Sequence, residues 1–366
     1  MISKKITHLI TTIELGGAEK QLLILAENQI KQGLEVEVFY LKGEPELKTK
    51  FENLGVKINS SLVNQPFVFQ VTKFRKFIRS NESPVHTHLP QAELVASLSC
   101  KKKNFVISRH NFEPFWPNKP KLVSALLSRF VTSRASGAIA ISSAIKNYLL
   151  KTKEIGKNFE VNVIHYGFEN EVGNLPNQNK LDNQALNSTK NFKLGTIGRL
   201  VPGKNYPIML KAVAKIADVF PDVKFFIVGG GSIEHTLIKM CKDLKIEDNV
   251  IWLGRTEYIR EFLSKIDVFI FASKGEGFGL VLLEAMLANK PIFAANNSAV
   301  PEVLGLNYKG LFPTDDYKLL SDKISELMND HAKSESLVSE YKEQIKLFKP
   351  VDMANNVLKV YKAAGF

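Results

Sequence analysis

The sequence predicts an α/β protein built as two doubly wound domains that face each other across a cleft. Three observations carry this. Short β-rich runs alternate with helical patterns in two successive series, which implies parallel strands joined by helical crossovers. A polar tract rich in Asn and Gln, residues 170–191, separates the two series and lacks apolar periodicity. In the second series an apolar run, I-D-V-F-I-F-A at 266–272, leads through a glycine-punctuated turn in E-G-F-G-L-V-L-L-E, Glu276 to Glu284, into good helix formers.

The first series comprises I-T-H-L-I-T-T-I (6–13), a helix from about Ala18, then V-E-V-F-Y-L (36–41), V-H-T-H (85–88), F-V-I-S-R-H (105–110), A-I-A-I (138–141) and V-N-V-I-H-Y (161–166). The second comprises F-K-L-G-T-I-G (192–198), V-K-F-F-I-V-G (223–229), N-V-I-W-L-G (249–254), V-F-I-F-A (268–272), P-I-F-A-A (291–295) and K-G-L-F (309–312). Most of these runs are near-continuously apolar and strand-sized, the pattern of strands covered on both faces. The reading divides the chain into a domain at 1–170, a linker at 171–191, a domain at 192–349 and a terminal helix at 350–366.

With 366 residues, 45% hydrophobic and 23% charged, the chain is long enough for two cores. Its apolar runs are interrupted by charges, and the opening M-I-S-K-K-I-T-H-L-I-T-T lacks the apolar stretch of a secretory signal, so a cytoplasmic protein is expected. Cys100 and Cys241 fall in different predicted domains without metal-ligand spacing, which supports neither a disulfide framework nor a zinc site. The net charge is +12, and residues 1–160 hold 24 Lys+Arg against 13 Asp+Glu. That half carries K-F-R-K-F-I-R (73–79), K-K-K (101–103) and K-P-K-L-V-S-A-L-L-S-R-F (119–130). Such segments suit an anionic membrane surface, where each cation contributes about 1 kcal/mol, and equally the solvated faces of sheet-covering helices. No nucleic-acid partner is expected.

The order strand, turn, helix places the 273–280 turn at the carboxyl edge of an open sheet, where ligands bind. The unpaired N–H groups of the first helical turn, around Gly277, Phe278, Gly279 and Leu280, suit a phosphate. Glu276 then lies on the lip of the pocket and Glu284 about one turn inside the helix. Arg199 and Lys204 flank a turn made by Pro202 and Gly203, placing a planar fork and a point charge together. Gly16 and Gly17 follow the first strand and open a helix, so backbone N–H groups there can approach an anion. His86 and His88 share one face of their strand; they read as cleft lining in preference to a metal pair. Ser142 reads as the N-cap of S-S-A-I-K-N-Y, with a substrate role secondary.

These motifs together resemble those of retaining glycosyltransferases of the GT-B fold, family 4 (glycosyltransferase group 1). The resemblance rests on 276–284, on G-R-L-V-P-G-K-N at 198–205, on E-L-G-G-A-E at 14–19, and on the flanking K-I-D-V-F-I-F-A-S and E-A-M-L-A-N-K-P-I, and it covers nearly the whole chain. It implies that Arg199 and Lys204 hold the donor diphosphate, that Glu284 binds the ribose and that Glu276 faces the donor sugar. It implies too that His110 sits near the reacting sugar, able to orient the acceptor or share its proton with a pKa near neutrality, and that the final helix, about 353–364, packs back on the first domain. Departures occur: Tyr166-Gly167-Phe168-Glu169 stands where Asn-Gly-hydrophobic-Asp is usual, Asn289 where Gly precedes Lys-Pro, and Ser298-Ala299 where a Gly-Gly pair is usual.

The function so implied is transfer of a sugar from a nucleotide diphosphate sugar to a lipid-linked or nascent surface glycan, in polysaccharide or lipopolysaccharide biosynthesis. It is expected to need no metal and to occur peripherally at the inner face of the cell membrane. The alternatives are a nucleotide-sugar 2-epimerase of the same fold and a non-catalytic nucleotide-sugar-binding subunit.

Overall fold

The computed structural model describes residues 4–81, 83–117, 119–168, 183–188, 191–330 and 332–366. The chain divides into two compact units, one of Met1–Glu169 with Phe348–Phe366, the other of Asn170–Leu347. Most of the expected linker, with Glu169, lies outside the described residues; within it, a short helix at Gln184–Asn187 is capped by the Asn183 side chain.

Unit 1 carries β1 (Lys5–Ile10), β2 (Glu35–Tyr40), β3 (Lys57–Asn59), β4 (Val85–His88), β5 (Phe105–Arg109), β6 (Gly137–Ala140) and β7 (Val161–Val163). They form a parallel sheet in the order β3-β2-β1-β4-β5-β6-β7. The chain winds outward from β1 to β3, then returns to lay β4 on the other side of β1, so the switch point falls between β1 and β4. Register there sets His8 beside His86, and between β4 and β5 it sets His88 beside Ser108. β3 is absent from the sequence reading because three residues with an exposed lysine leave no periodicity to detect.

The helices Gly17–Lys31 and Pro350–Ala363 pack together over one sheet face, burying Leu22, Leu25, Met353, Val357 and Tyr361 against Ile6, Ile10 and Val106. Gln32 donates to Asn355 across this contact. The terminal helix is therefore part of the unit 1 core.

The basic segment at 73–79 lies on the helix Phe67–Asn81. Phe74 and Ile78 are buried there, and Phe74 and Phe77 pack on Phe39 with ring centroids 5.4 and 4.6 Å apart. These side chains are core contacts and are not available for insertion into a membrane, which leaves the segment's cations as the exposed face of a sheet-covering helix.

Unit 2 carries β8 (Lys193–Ile197), β9 (Lys224–Val228), β10 (Val250–Gly254), β11 (Val268–Phe271), β12 (Ile292–Ala295) and β13 (Leu311–Phe312). Its parallel order is β10-β9-β8-β11-β12-β13. Here the switch point falls between β8 and β11, which makes neighbours of the loops that follow them.

Candidate active site

Adjacent β8 and β11 bring Lys204 and Glu276, 72 residues apart in sequence, into a direct ion pair. Lys204 ends a single 3-10 turn, Pro202–Lys204, whose proline presets the bend. Its ammonium also lies 5.5 Å from the Phe271 ring centroid. Arg199 leaves the same loop with its side chain exposed. The helix Leu280–Leu287 begins after Gly279 in the left-handed region (φ 95°), and Glu284 is half-buried on it among buried Leu282, Leu283, Ala285 and Met286.

Backbone and side-chain hydrogen bonds lash these loops together. The Lys274 amide donates to Gly203 O at 2.8 Å, and the Glu276 amide donates to Ser298 Oγ at 2.8 Å. Ser298 in turn donates to Asn297, whose amide donates to Ser273 O and Thr314 Oγ1, each at 2.8 Å. Ser298 occupies the left-handed region at φ 46°, a conformation easy for glycine and strained for serine. Its bond to the Glu276 amide offsets that strain.

The run Gly229-Gly230-Gly231 is a part of the site that the sequence reading passed over, although three consecutive glycines after a strand are visible in it. A Cβ on Gly231 would stand 2.4 Å from Leu200 O, and one on Gly229 would stand 1.9 Å from Gly198 O. Only glycine lets the loop carrying Arg199 lie this close to the β9 end.

In unit 1, Gly16 precedes the helix Gly17–Lys31 in extended conformation. The space beside it is not open: a Cβ there would stand 2.2 Å from Glu19 Oε2. Glu19, in the first turn, bends back over the N-terminus, where the helix dipole favours a carboxylate, and accepts from Thr12 Oγ1 at 2.7 Å. Ser142 is the predicted cap, accepting from the Ile145 amide at 3.1 Å, and is fully buried.

His86 and His88 do not line an open cleft. Both are buried, with His8 from β1, between the sheet and its covering helices. His86 contacts Tyr361 Oη at 2.7 Å through Nδ1 and Ser108 Oγ at 2.8 Å through Nε2. His8 contacts Gln29 Oε1 at 2.8 Å through Nε2 and His88 Nε2 at 3.0 Å through Nδ1. His88 Nδ1 then meets His110 Nε2 at 3.1 Å, and His110 Nδ1 meets Tyr166 Oη at 2.6 Å.

Burial pushes the His8 pKa down to about 4 and that of His110 to about 3, with Arg109 beside His110 adding to the effect. The near-neutral His110 expected from the resemblance is therefore corrected, because desolvation disfavours its charged form. His8 is the residue this cluster adds to those predicted; its signal in the sequence was a lone histidine within an apolar strand.

His8, His86 and His88 offer ligand atoms within 4.8 Å of one another, the one such grouping among the described residues. Every ring nitrogen of the three already has a hydrogen-bond partner, so metal binding would require giving up protein contacts.

Two family models match the chain: Glycosyltransferase Family 4 over residues 15–171 and Glycosyl transferases group 1 over residues 177–344. Among relatives, the capsular polysaccharide biosynthesis glycosyltransferase CapM of Staphylococcus aureus is 25% identical over 220 residues, 58% of this chain and 57% of CapM. The chain thus spans a little over half the length of CapM. A GalNAc-alpha-(1->4)-GalNAc-alpha-(1->3)-diNAcBac-PP-undecaprenol alpha-1,4-N-acetyl-D-galactosaminyltransferase of Campylobacter jejuni is 25% identical over 356 residues, 94% of both chains. Anabaena HepE, solved in complex with UDP and glucose, superposes with a TM-score of 0.80 at 22% identity over 98% of this chain and 99% of that one, which establishes a shared fold. With two parallel-sheet units and both family models matched in order, the chain belongs to the group 1 glycosyltransferases of the GT-B fold.

Proposed function

We propose that the protein is a retaining glycosyltransferase that moves a sugar from a nucleotide diphosphate sugar to a lipid-linked or nascent surface glycan. The observation that carries this reading is the Lys204–Glu276 pair, on neighbouring loops at the carboxyl edge of the unit 2 sheet with Arg199 on the same β8 loop. A departing diphosphate develops negative charge, and cations already fixed there lower the barrier without reorganisation. In this reading Lys204 and Arg199 meet the diphosphate, the first-turn N–H groups at Gly279 and Leu280 add their dipole, Glu284 accepts from the ribose hydroxyls and Glu276 faces the donor sugar. The bond from the anomeric carbon to the diphosphate oxygen breaks as the acceptor oxygen bonds to that carbon on the same face. The acceptor proton passes to the departing phosphate oxygen, so no protein base is needed, in keeping with a His110 held neutral by burial.

The acceptor side of the reading draws support from the capsular and undecaprenol-linked roles named for the two relatives. No described helix is long and apolar enough to cross a membrane. A surface contact has a better candidate than the 73–79 segment. On the helix Lys121–Arg134 the usual pattern is inverted: Ser124, Ser128 and Thr132 are buried, whereas Leu122 (72% exposed), Leu126 (57%) and Phe130 (41%) face outward. The serines turn inward because Ser124 Oγ accepts from the Trp116 amide and Ser128 Oγ donates to Glu154 O. The outward ridge, beside exposed Lys119, Lys121 and Arg129, suits an anionic lipid surface.

The test is a panel of UDP, GDP and ADP sugars. A donor at 100 times its dissociation constant should stabilise the protein by about 2.7 kcal/mol in a thermal-shift screen. Release of free nucleotide that requires an added glycan-lipid acceptor supports transfer. Acceptor-independent conversion of the donor sugar would favour epimerisation, and binding without turnover a non-catalytic subunit.

A further inference from the structure

Four of the five histidines of unit 1 form part of one continuous hydrogen-bonded chain, whose polarity follows from the orientation of the Gln29 amide. It runs from Ser108 through His86, Tyr361 and Gln29 to His8, His88, His110 and finally Tyr166. A neutral imidazole has one nitrogen that donates and one that accepts. Gln29 presents its oxygen to His8 and its amide nitrogen to Tyr361 Oη, at 2.8 and 3.2 Å. His8 must then carry its proton on Nε2, which leaves Nδ1 to accept from His88 Nε2. His88 Nδ1 accepts from His110 Nε2 in turn, and His110 Nδ1 accepts from the Tyr166 hydroxyl. On the other branch the Tyr361 hydroxyl, having accepted from Gln29, donates to His86 Nδ1, and His86 Nε2 donates to Ser108. Each bond dictates the next. Turning the Gln29 amide over would reverse all of them together.

We propose that Gln29, His8 and His88 are positioning residues that hold His110 in a single tautomer, with the proton on Nε2 directed inward and Nδ1 committed to the Tyr166 hydroxyl. Both ring nitrogens of His110 are then committed, Nε2 to His88 and Nδ1 to the Tyr166 hydroxyl, so His110 orients its neighbours and does not take up the acceptor proton. The charged groups packed against the chain are Arg109, beside His110, and Glu19, toward Tyr166. The placing of His110 beside a sugar rests on the function proposed above; the tautomer assignment does not.

Long-range proton–nitrogen NMR on the full chain, labelled with 15N-histidine, distinguishes protonated from bare ring nitrogens. The expected result is four imidazoles, assigned by single substitution, all protonated on Nε2 and unchanged between about pH 8 and about pH 6, where a solvent-exposed histidine titrates. In Tyr361→Phe the ring shape is kept but the oxygen that accepts from the Gln29 amide nitrogen is lost, so His8, His88 and His110 should show mixed tautomers. Gln29→Met should do the same, and Tyr361→Phe carries the test if that variant does not fold. Any of the four protonated on Nδ1 in the wild type, or titration within that window, overturns the proposal, as does an unchanged spectrum in Tyr361→Phe. So does a spectrum that changes on chelator treatment, because a metal needs a nitrogen that the chain has already committed. Failure to detect glycosyl transfer would count against the proposed function alone and leave the NMR result standing.

Discussion

Acidification from pH 7 to pH 5 should weaken unit 1 selectively, and the balance can be worked from three buried groups. His8 and His110, with pKa values lowered from 6.5 to about 4 and about 3, stay neutral in the fold at pH 5 while the unfolded chain takes up protons. A group depressed in this way contributes stability above its unfolded pKa that is lost as pH falls toward the folded value. Each therefore loses about 2 kcal/mol, at 1.36 kcal/mol per pH unit over the interval from about 6.5 to 5, or about 4 kcal/mol together. His86 and His88 are shifted in the same direction by the same burial and add to the loss. Glu93 opposes it. Burial raises its pKa from 4.5 to about 7 despite the adjacent Arg109, so its penalty falls on acidification. The fold then binds more protons than the unfolded chain between those values, which returns about 2 kcal/mol. Glu154, raised by burial as well, opposes the loss in the same sense as Glu93, and the net loss is about 2 kcal/mol, a drop in urea midpoint of roughly 1 M. Trp116 lies in unit 1 and Trp252 in unit 2, so Trp252→Phe makes tryptophan fluorescence report on unit 1. Glu93→Gln should steepen the acid loss by removing the opposing contribution. A unit 1 midpoint that is equal or higher at pH 5 than at pH 7 would refute the reasoning.

Replacing Lys204 or Arg199 by Ala should lower turnover by roughly tenfold to a thousandfold, the range for losing one preorganised charge donor; full activity in both variants would remove them from the diphosphate site. Activity is expected to persist in EDTA, and a loss that manganese or magnesium restores would refute metal independence. Glu284→Gln should chiefly weaken nucleotide affinity, because an acceptor oxygen becomes a donor, while Glu276→Gln should chiefly slow transfer. Isothermal titration with the free nucleotide checks this division, which equal affinity losses would contradict. Flotation with anionic liposomes should depend on the 121–134 helix: a Leu122, Leu126 and Phe130 to Ser variant should lose binding, and salt should weaken the wild type because surface charges are screened within about 10 Å at 0.1 M. Wild-type protein that ignores anionic vesicles at low salt would point to a soluble acceptor.

Much of the fold is legible along the chain because most parallel strands covered on both faces are largely apolar, and glycines or prolines often break the chain where they end. Thus V-F-I-F-A announces β11, and the glycines at 275, 277 and 279 announce the turn after it. The same local logic places the Ser142 cap and the bend before Lys204, since each depends on residues within one turn. Strand order carries no such local mark. The meeting of Lys204 with Glu276 follows from β8 lying beside β11, and the meeting of His8 with His86 from β1 lying beside β4. Exposure is a property of the packed chain as well: the apolar edge of 121–134 faces outward because its serines are bound inward, and Phe74 faces inward because Phe39 is there to meet it. The charge state of His110 shows the division most clearly. Its place at the end of β5 follows from F-V-I-S-R-H, but its pKa is set by how much water its neighbours exclude, and those neighbours arrive from β4 and from the 166 region by tertiary contact.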